Sequence, residues 1–398
     1  MMMTSTRANA DASSRGLLFT VACLGMLAFG IVLTTLGAVL PSLVERFGID
    51  KSAAGALFVL MSFGILVGSV FFGPIVDLRG YKRVLVVAAA FIALGLAGIA
   101  YAPTLTWLRV AIVLVGLGGG VINGGTNALV ADVSAGERSA GLSLLGVFFG
   151  VGAVGVPFAL ALLLGRFSYS TLMASVAVLV LIPLVFTAVA RFPAPKQAQG
   201  FPLADAGRLI RDPVLLLMGM MLFLESGMEI SVGGWTATYF QEELGLAGQR
   251  ALVFLSLYWL GMMLMRLALG WMLRRSSPAR VLLGCLGLAL VGALLLLGTD
   301  SVAAAGAGVF LLGCGFAATF TVVLGFVGDR YEQLSGTAFS VVIVMALIGG
   351  MLLPYATGVL GAVYGLRGSF IIIPTALVLL AALLLVVIRR LSTRPVTA

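Results

Sequence analysis

Histidine is absent from the 398-residue chain. Its absence removes the commonest metal ligand and the usual acid–base residue, so His-centred catalysis and a His-based proton relay are excluded. Cysteine is scarce. Cys23, Cys285 and Cys314 all fall inside apolar runs, and an odd number so placed is no disulfide framework. Charge is scarce too: 10% of residues are charged, where a soluble domain carries about 25%. Little of the chain is polar enough to build a soluble domain. No nucleophile–base constellation stands out, so no enzymatic activity, metal or cofactor is expected.

Apolar residues make up the balance, at 61%. Crossing a bilayer takes about 20 consecutive apolar residues. Twelve runs meet that length, at 17–42, 52–76, 83–103, 106–130, 140–164, 170–190, 213–239, 251–273, 280–298, 302–327, 336–360 and 369–388. The expected fold class is an all-α membrane protein. The first run is too long for a signal-peptide core and reads as a retained helix, preceded by a short polar tail, Met1–Gly16. The least apolar internal stretch, Arg191–Asp212, contains Pro193, Pro195 and Pro202 and falls near mid-chain. It divides the chain into an N-terminal six-helix half (1–190), a linker (191–212) and a C-terminal six-helix half (213–398).

The formal net charge is +9. With the N-terminus placed inside, the inner loops and tails hold seventeen Lys and Arg residues and the outer loops five, Arg46, Lys51, Arg166, Arg250 and Arg367. Arg109 and Arg266 lie within helices. The bias places both termini on the cytoplasmic side, in a bacterial inner membrane. It also accounts for the basic excess without a nucleic-acid partner.

Sliding the second half over the first by 197 residues aligns Gly30 with Gly227, Gly64 with Gly261 and Gly116 and Gly118 with Gly313 and Gly315. Chance matches of glycine are expected in a chain with 52 of them. The same offset also aligns Arg83 with Arg280, Asp132 with Asp329, Gly152 with Gly349 and Pro157 with Pro354. Two parallel six-helix repeats follow, the symmetry of the major facilitator halves, with a site expected between them near the bilayer midplane.

The loop after the second helix reads Gly73-Pro74-Ile75-Val76-Asp77-Leu78-Arg79-Gly80-Tyr81-Lys82-Arg83. It resembles the major facilitator signature G-x-x-x-D-R/L-x-G-R-K-R. In that reading glycine permits close helix contact and Asp77 accepts charge-assisted hydrogen bonds, so Gly73, Asp77, Gly80 and Arg83 form a conformational lock. A plain basic loop is the alternative. The second-half counterpart, Gly270-Trp271-Met272-Leu273-Arg274-Arg275, lacks the acid.

Two helices narrow the resemblance. The fourth carries Gly118-Gly119-Gly120-Val121-Ile122-Asn123-Gly124-Gly125-Thr126-Asn127, and the seventh Gly227-Met228-Glu229 followed by Trp235 and Tyr239. Both look like the fucose–galactose–glucose proton symporter family, including its broader fucose-permease-like members. That resemblance implies monosaccharide uptake coupled to protons, by alternating access. The fucose permeases resembled carry acids inside the first and fourth helices. Here the first helix offers Thr34 and Thr35 and the fourth Asn123, Thr126 and Asn127, with Asp132 at its end.

Glu225 and Glu229 are the two acids deep inside an apolar helix, four apart and so on one face. An ionisable residue at that depth is a candidate functional site, here for proton coupling or solute contact. Pairing with Arg266 is the structural alternative. Asn123 and Asn127 share a face, and their amides can donate to and accept from sugar hydroxyls; interhelical bonding is the alternative. Trp235 can stack on a sugar ring or anchor at an interface. Thr34 and Thr319 are further candidate solute contacts. The favoured reading is a monomeric secondary transporter that carries a hexose or similar small molecule through the lipid bilayer, with possible proton coupling. An exporter of drugs or metabolites is the alternative.

Overall fold

The computed structural model describes residues 2–133, 138–190, 192, 211–331 and 334–392. Side chains at 2–15, 77, 131–133, 138–143, 184, 188, 335, 336, 391 and 392 lie outside that description. The described residues form fourteen helices and no strand. They are α1 (Met2–Phe47), α2 (Lys51–Arg79), α3 (Tyr81–Tyr101), α4 (Leu105–Val133), α5 (Arg138–Leu163), α6 (Tyr169–Leu179), α7 (Ile182–Val189), α8 (Pro213–Glu242), α9 (Gly248–Arg275), α10 (Pro278–Leu297), α11 (Val302–Phe316), α12 (Thr319–Arg330), α13 (Ser335–Ser369) and α14 (Ile372–Ser392). Most of the linker expected at 191–212 lies outside the described residues.

Among the described residues, eleven spans are long and apolar enough to cross a membrane, α11 and α12 counting together as Val302–Arg330. The sixth run, expected at 170–190, is instead two shorter helices, α6 and α7. Pro183 sits in the first turn of α7, lacks an N–H and crowds the carbonyl four residues earlier. Val180 (φ −66°, ψ −17°) and Leu181 (φ −81°, ψ −15°) stay right-handed, and the Leu181 amide bonds the Val178 carbonyl three residues back, so the α-helical bonding is interrupted there without the chain unwinding. With the twelfth segment so accounted for, the all-helical twelve-segment architecture expected from the sequence is the one observed.

The chain forms two compact units. The first comprises Met1–Thr35 and Phe63–Gln199, and the second Leu36–Ser62 and Gly200–Ala398. The end of α1 and the start of α2 therefore pack as part of the second unit. Their contacts there are specific. Lys51 Nζ lies 2.8 Å from Glu242 Oε2, Ser62 Oγ donates to the Gly350 carbonyl at 3.2 Å, and the Phe58 ring lies 6.0 Å from that of Trp235.

Within each unit, glycines mark where helices cross, and the crossings repeat. In the first unit Gly30 faces the Phe149 carbonyl of α5, and Gly152 faces the Leu27 carbonyl of α1. In the second unit Gly227 faces the Gly349 carbonyl of α13, and Gly349 faces the Phe223 carbonyl of α8. Gly64 meets the Val113 carbonyl as Gly261 meets the Phe310 carbonyl. Lipid offers no apolar contrast to drive helices together, so close backbone packing at small residues holds such a bundle. The 197-residue offset is thus a spacing of backbone contacts.

Candidate functional site

The start of α8 is fixed locally. Asp212 caps it, accepting a 2.7 Å hydrogen bond from the Val214 amide, and Pro213 fills the first helical position, where no N–H is needed. The helix runs 30 residues to Glu242 and is buried through most of its middle. That burial carries Glu225 into the second unit's interior, where it is 1% exposed.

Glu229, one turn further on the same face of α8, is half-buried. Glu225 Oε1 is buried with no hydrogen-bond partner among the described residues. Arg266 of α9 approaches Glu229 at 3.9 Å, Nη2 to Oε2. This is the outer limit of an ion pair, longer than the roughly 2.7–2.9 Å of a tight charge-assisted hydrogen bond. Tyr258, eight residues before Arg266 on the same helix face, donates its hydroxyl to the Glu229 backbone carbonyl at 3.2 Å. Its ring is fully buried, edge-on to Trp259 and Phe316. The second unit thus assembles two acids, a cation and a phenol in an apolar setting. Tyr258 escaped the sequence reading, because an aromatic residue in an apolar helix reads as packing. Its one signal was the two-turn spacing from Arg266.

In the first unit, α4 brings Asn123 and Asn127 together. Asn127 Nδ2 donates to the Asn123 backbone carbonyl at 2.8 Å and to Asn123 Oδ1 at 3.1 Å, and both side chains are half-buried. Beside them, Thr126 turns its hydroxyl back on the helix, to the Ile122 carbonyl at 2.9 Å. Thr34 does the same on α1, donating to the Gly30 carbonyl at 3.1 Å, and is buried.

Trp235 and Thr319 both belong to the second unit. Trp235 is fully buried, with Nε1 donating to the Pro354 carbonyl at 3.1 Å. Its ring packs on Phe58, so the tryptophan plugs a helix crossing and presents no open face. Thr319 opens α12 just after the break at Ala317–Ala318; its hydroxyl is buried with no partner among the described residues.

The signature loop is a single residue long. Gly80, at φ +75°, joins α2 to α3, and its amide bonds the Val76 carbonyl at 2.7 Å. A left-handed φ favours glycine, so this position has a backbone reason. Gly73 has none of the close contact expected of it: a Cβ added there meets nothing within 4 Å among the described atoms. Arg83 is exposed on the first turn of α3. Asp77 lies in the last turns of α2, and its side chain lies outside the description.

An all-helical polytopic chain with repeated six-helix halves and buried charge in one of them belongs to the class of membrane transport proteins. Residues 22–346 match the family model of the Major Facilitator Superfamily, and the chain belongs to that superfamily of secondary transporters. The uncharacterized transporter y4wD of Sinorhizobium fredii is 24% identical over 371 residues, covering 90% of this chain and 95% of that protein. A gallate transporter of Pseudomonas putida is 24% identical over 302 residues, covering 67% of each. The fold is shared with two solved structures at 16% identity, each with a TM-score of 0.77. The match to the nucleoside transporter NupG covers 94% of this chain and 99% of that one. The match to the D-xylose-proton symporter covers 92% and 96%.

Proposed function

We propose that the chain is a proton-coupled importer of a small polar solute, working by alternating access, with Glu225 and Glu229 as its proton site. The arrangement of Glu225, Glu229 and Arg266 carries this reading. Two carboxyl groups one helical turn apart on one face can share one proton, and a guanidinium at the edge of ion-pair range can take its place when the proton leaves. Ionisable groups inside spanning helices are costly to keep and mark ion or substrate pathways. The solute class proposed first is a monosaccharide such as a hexose. The half-buried Asn123–Asn127 pair supports it, as does the resemblance of the fourth and seventh helices to fucose-permease-like sequences. Thr34, Thr319 and Trp235 are proposed as secondary solute contacts that need helix rearrangement before they open.

Arg266 favours a second solute class. A guanidinium beside the coupling acids suits the carboxylate of an organic acid, and one relative is a gallate transporter. The proposed setting is a bacterial inner membrane, with a monomeric chain and both termini cytoplasmic, from the Lys and Arg bias of the loops. Gly80, Asp77 and Arg83 are proposed as the conformational lock, with Gly73 as its weakest member.

The test is uptake into proteoliposomes of labelled hexoses and, separately, labelled aromatic acids, with and without an inward proton gradient. Accumulation of one class driven by the gradient is expected. The Glu229→Gln protein should lose that accumulation while still exchanging solute across the membrane. Normal gradient-driven accumulation in Glu229→Gln sinks the coupling role.

A further inference from the structure

The turn between α9 and α10 combines features that the transport reading leaves unused. Leu264, Leu267 and Trp271 are 45%, 55% and 57% exposed. At about 100° per residue they share one face of α9 with Arg274 and Arg275, in an arc of about 100°. The arginines close the helix at the end of that apolar stripe. The Arg275 guanidinium lies over the Trp271 ring, 4.4 Å from its centroid, within cation–π range. Arg274 Nε donates to the Gly270 carbonyl at 3.0 Å, which ties this side chain to the same turn. Arg280 follows, exposed, in the first turn of α10.

No described acid pairs with this charge. Residues 244–299 contain neither Asp nor Glu. Among the described residues, no acidic side chain lies within ion-pair distance of Arg274, Arg275 or Arg280. The inward bias of basic residues explains arginines in a loop. It does not explain an exposed tryptophan under one of them, or their alignment with a two-turn apolar stripe.

We propose that this turn is a binding site for an anionic phospholipid. Arg274, Arg275 and Arg280 take the headgroup phosphate, Trp271 sits at the level where headgroup meets chain, and Leu264 and Leu267 carry an acyl chain along α9. A phosphodiester anion with two apolar tails complements a triple cation at the end of an apolar stripe; a zwitterionic lipid gains less from it.

Native mass spectrometry of the full-length protein tests this, with phosphatidylglycerol titrated against phosphatidylcholine. The Arg274→Gln/Arg275→Gln/Arg280→Gln protein should bind phosphatidylglycerol about tenfold more weakly, with phosphatidylcholine unchanged. Trp271→Leu, which keeps every charge, should weaken phosphatidylglycerol binding about threefold. Arg389→Gln/Arg390→Gln removes charge elsewhere and should leave binding as it was. Glycerol phosphate in excess should leave the lipid bound. Undiminished phosphatidylglycerol binding by the triple variant overturns the proposal, and so does an equal loss in the Arg389/Arg390 variant. Displacement by glycerol phosphate overturns it as well, since the turn would then take any phosphate.

Discussion

The two units share a backbone and differ in chemistry. Shifted by 197 residues, Glu225 and Glu229 stand where the first unit has Ala28 and Val32, and Arg266 stands where it has Ser69. The exchange runs the other way on the fourth helix. Asn123 and Asn127 correspond to Phe320 and Leu324 of the second unit. Glycine crossings at equal spacing hold both bundles, so the frame tolerates acids in one copy and amides in the other. Repetition here conserves contact geometry and leaves side-chain function free to diverge.

The largest effect should come from erasing the chemical difference. Glu225→Gln combined with Glu229→Gln makes the second unit as neutral at these positions as the first. Gradient-driven uptake in proteoliposomes should fall more than tenfold, while solute exchange persists. If accumulation survives, the asymmetry has no part in coupling. The reverse change is next in size. Val32 is fully buried against Gly119. Val32→Glu should cost roughly 2.5–3.5 kcal/mol, read as a lowered unfolding midpoint in detergent. An unchanged midpoint means that this position already meets water.

A smaller pair of changes tests the shared frame. Gly152→Val drives a side chain into the Leu27 carbonyl, and Gly349→Val into the Phe223 carbonyl. Each should cost about 1–3 kcal/mol, and by similar amounts, in the same unfolding assay. Loss in one unit alone would break the equivalence. The smallest effect is expected at Asn127→Ala, which removes one half-buried amide. A rise in KM of about fivefold, near 1 kcal/mol, is expected with the proton dependence intact. A change in the proton dependence would place the amides in the coupling step.

Spanning segments were legible because the bilayer imposes a length on apolar runs, and the repeat because Asp, Arg and Pro rarely align by chance. The acids were legible for the same energetic reason: charge in an apolar helix is costly enough to need a purpose. Packing was not legible. A helix that faces lipid on one side and protein on the other is apolar on both, so composition gave no sign that residues 36–62 pack with the second unit. Nor did it show that Trp235 faces Pro354 and Phe58. The interruption at Val180–Leu181 had its signal in Pro183. The break at Ala317–Ala318 has no proline and no comparable signal.

The loose pair between Glu229 and Arg266 has a consequence for how the protein is made. α8 and α9 are the two least hydropathic of the eleven spans, at 1.6 and 1.8, and they are consecutive. Leaving the insertion machinery alone, each would carry its charge into hydrocarbon uncompensated. Entering together as a hairpin, they bring the carboxylate and the guanidinium in as partners. Biogenesis should therefore stall in chains truncated between Glu243 and Arg266 and resume once the arginine has emerged.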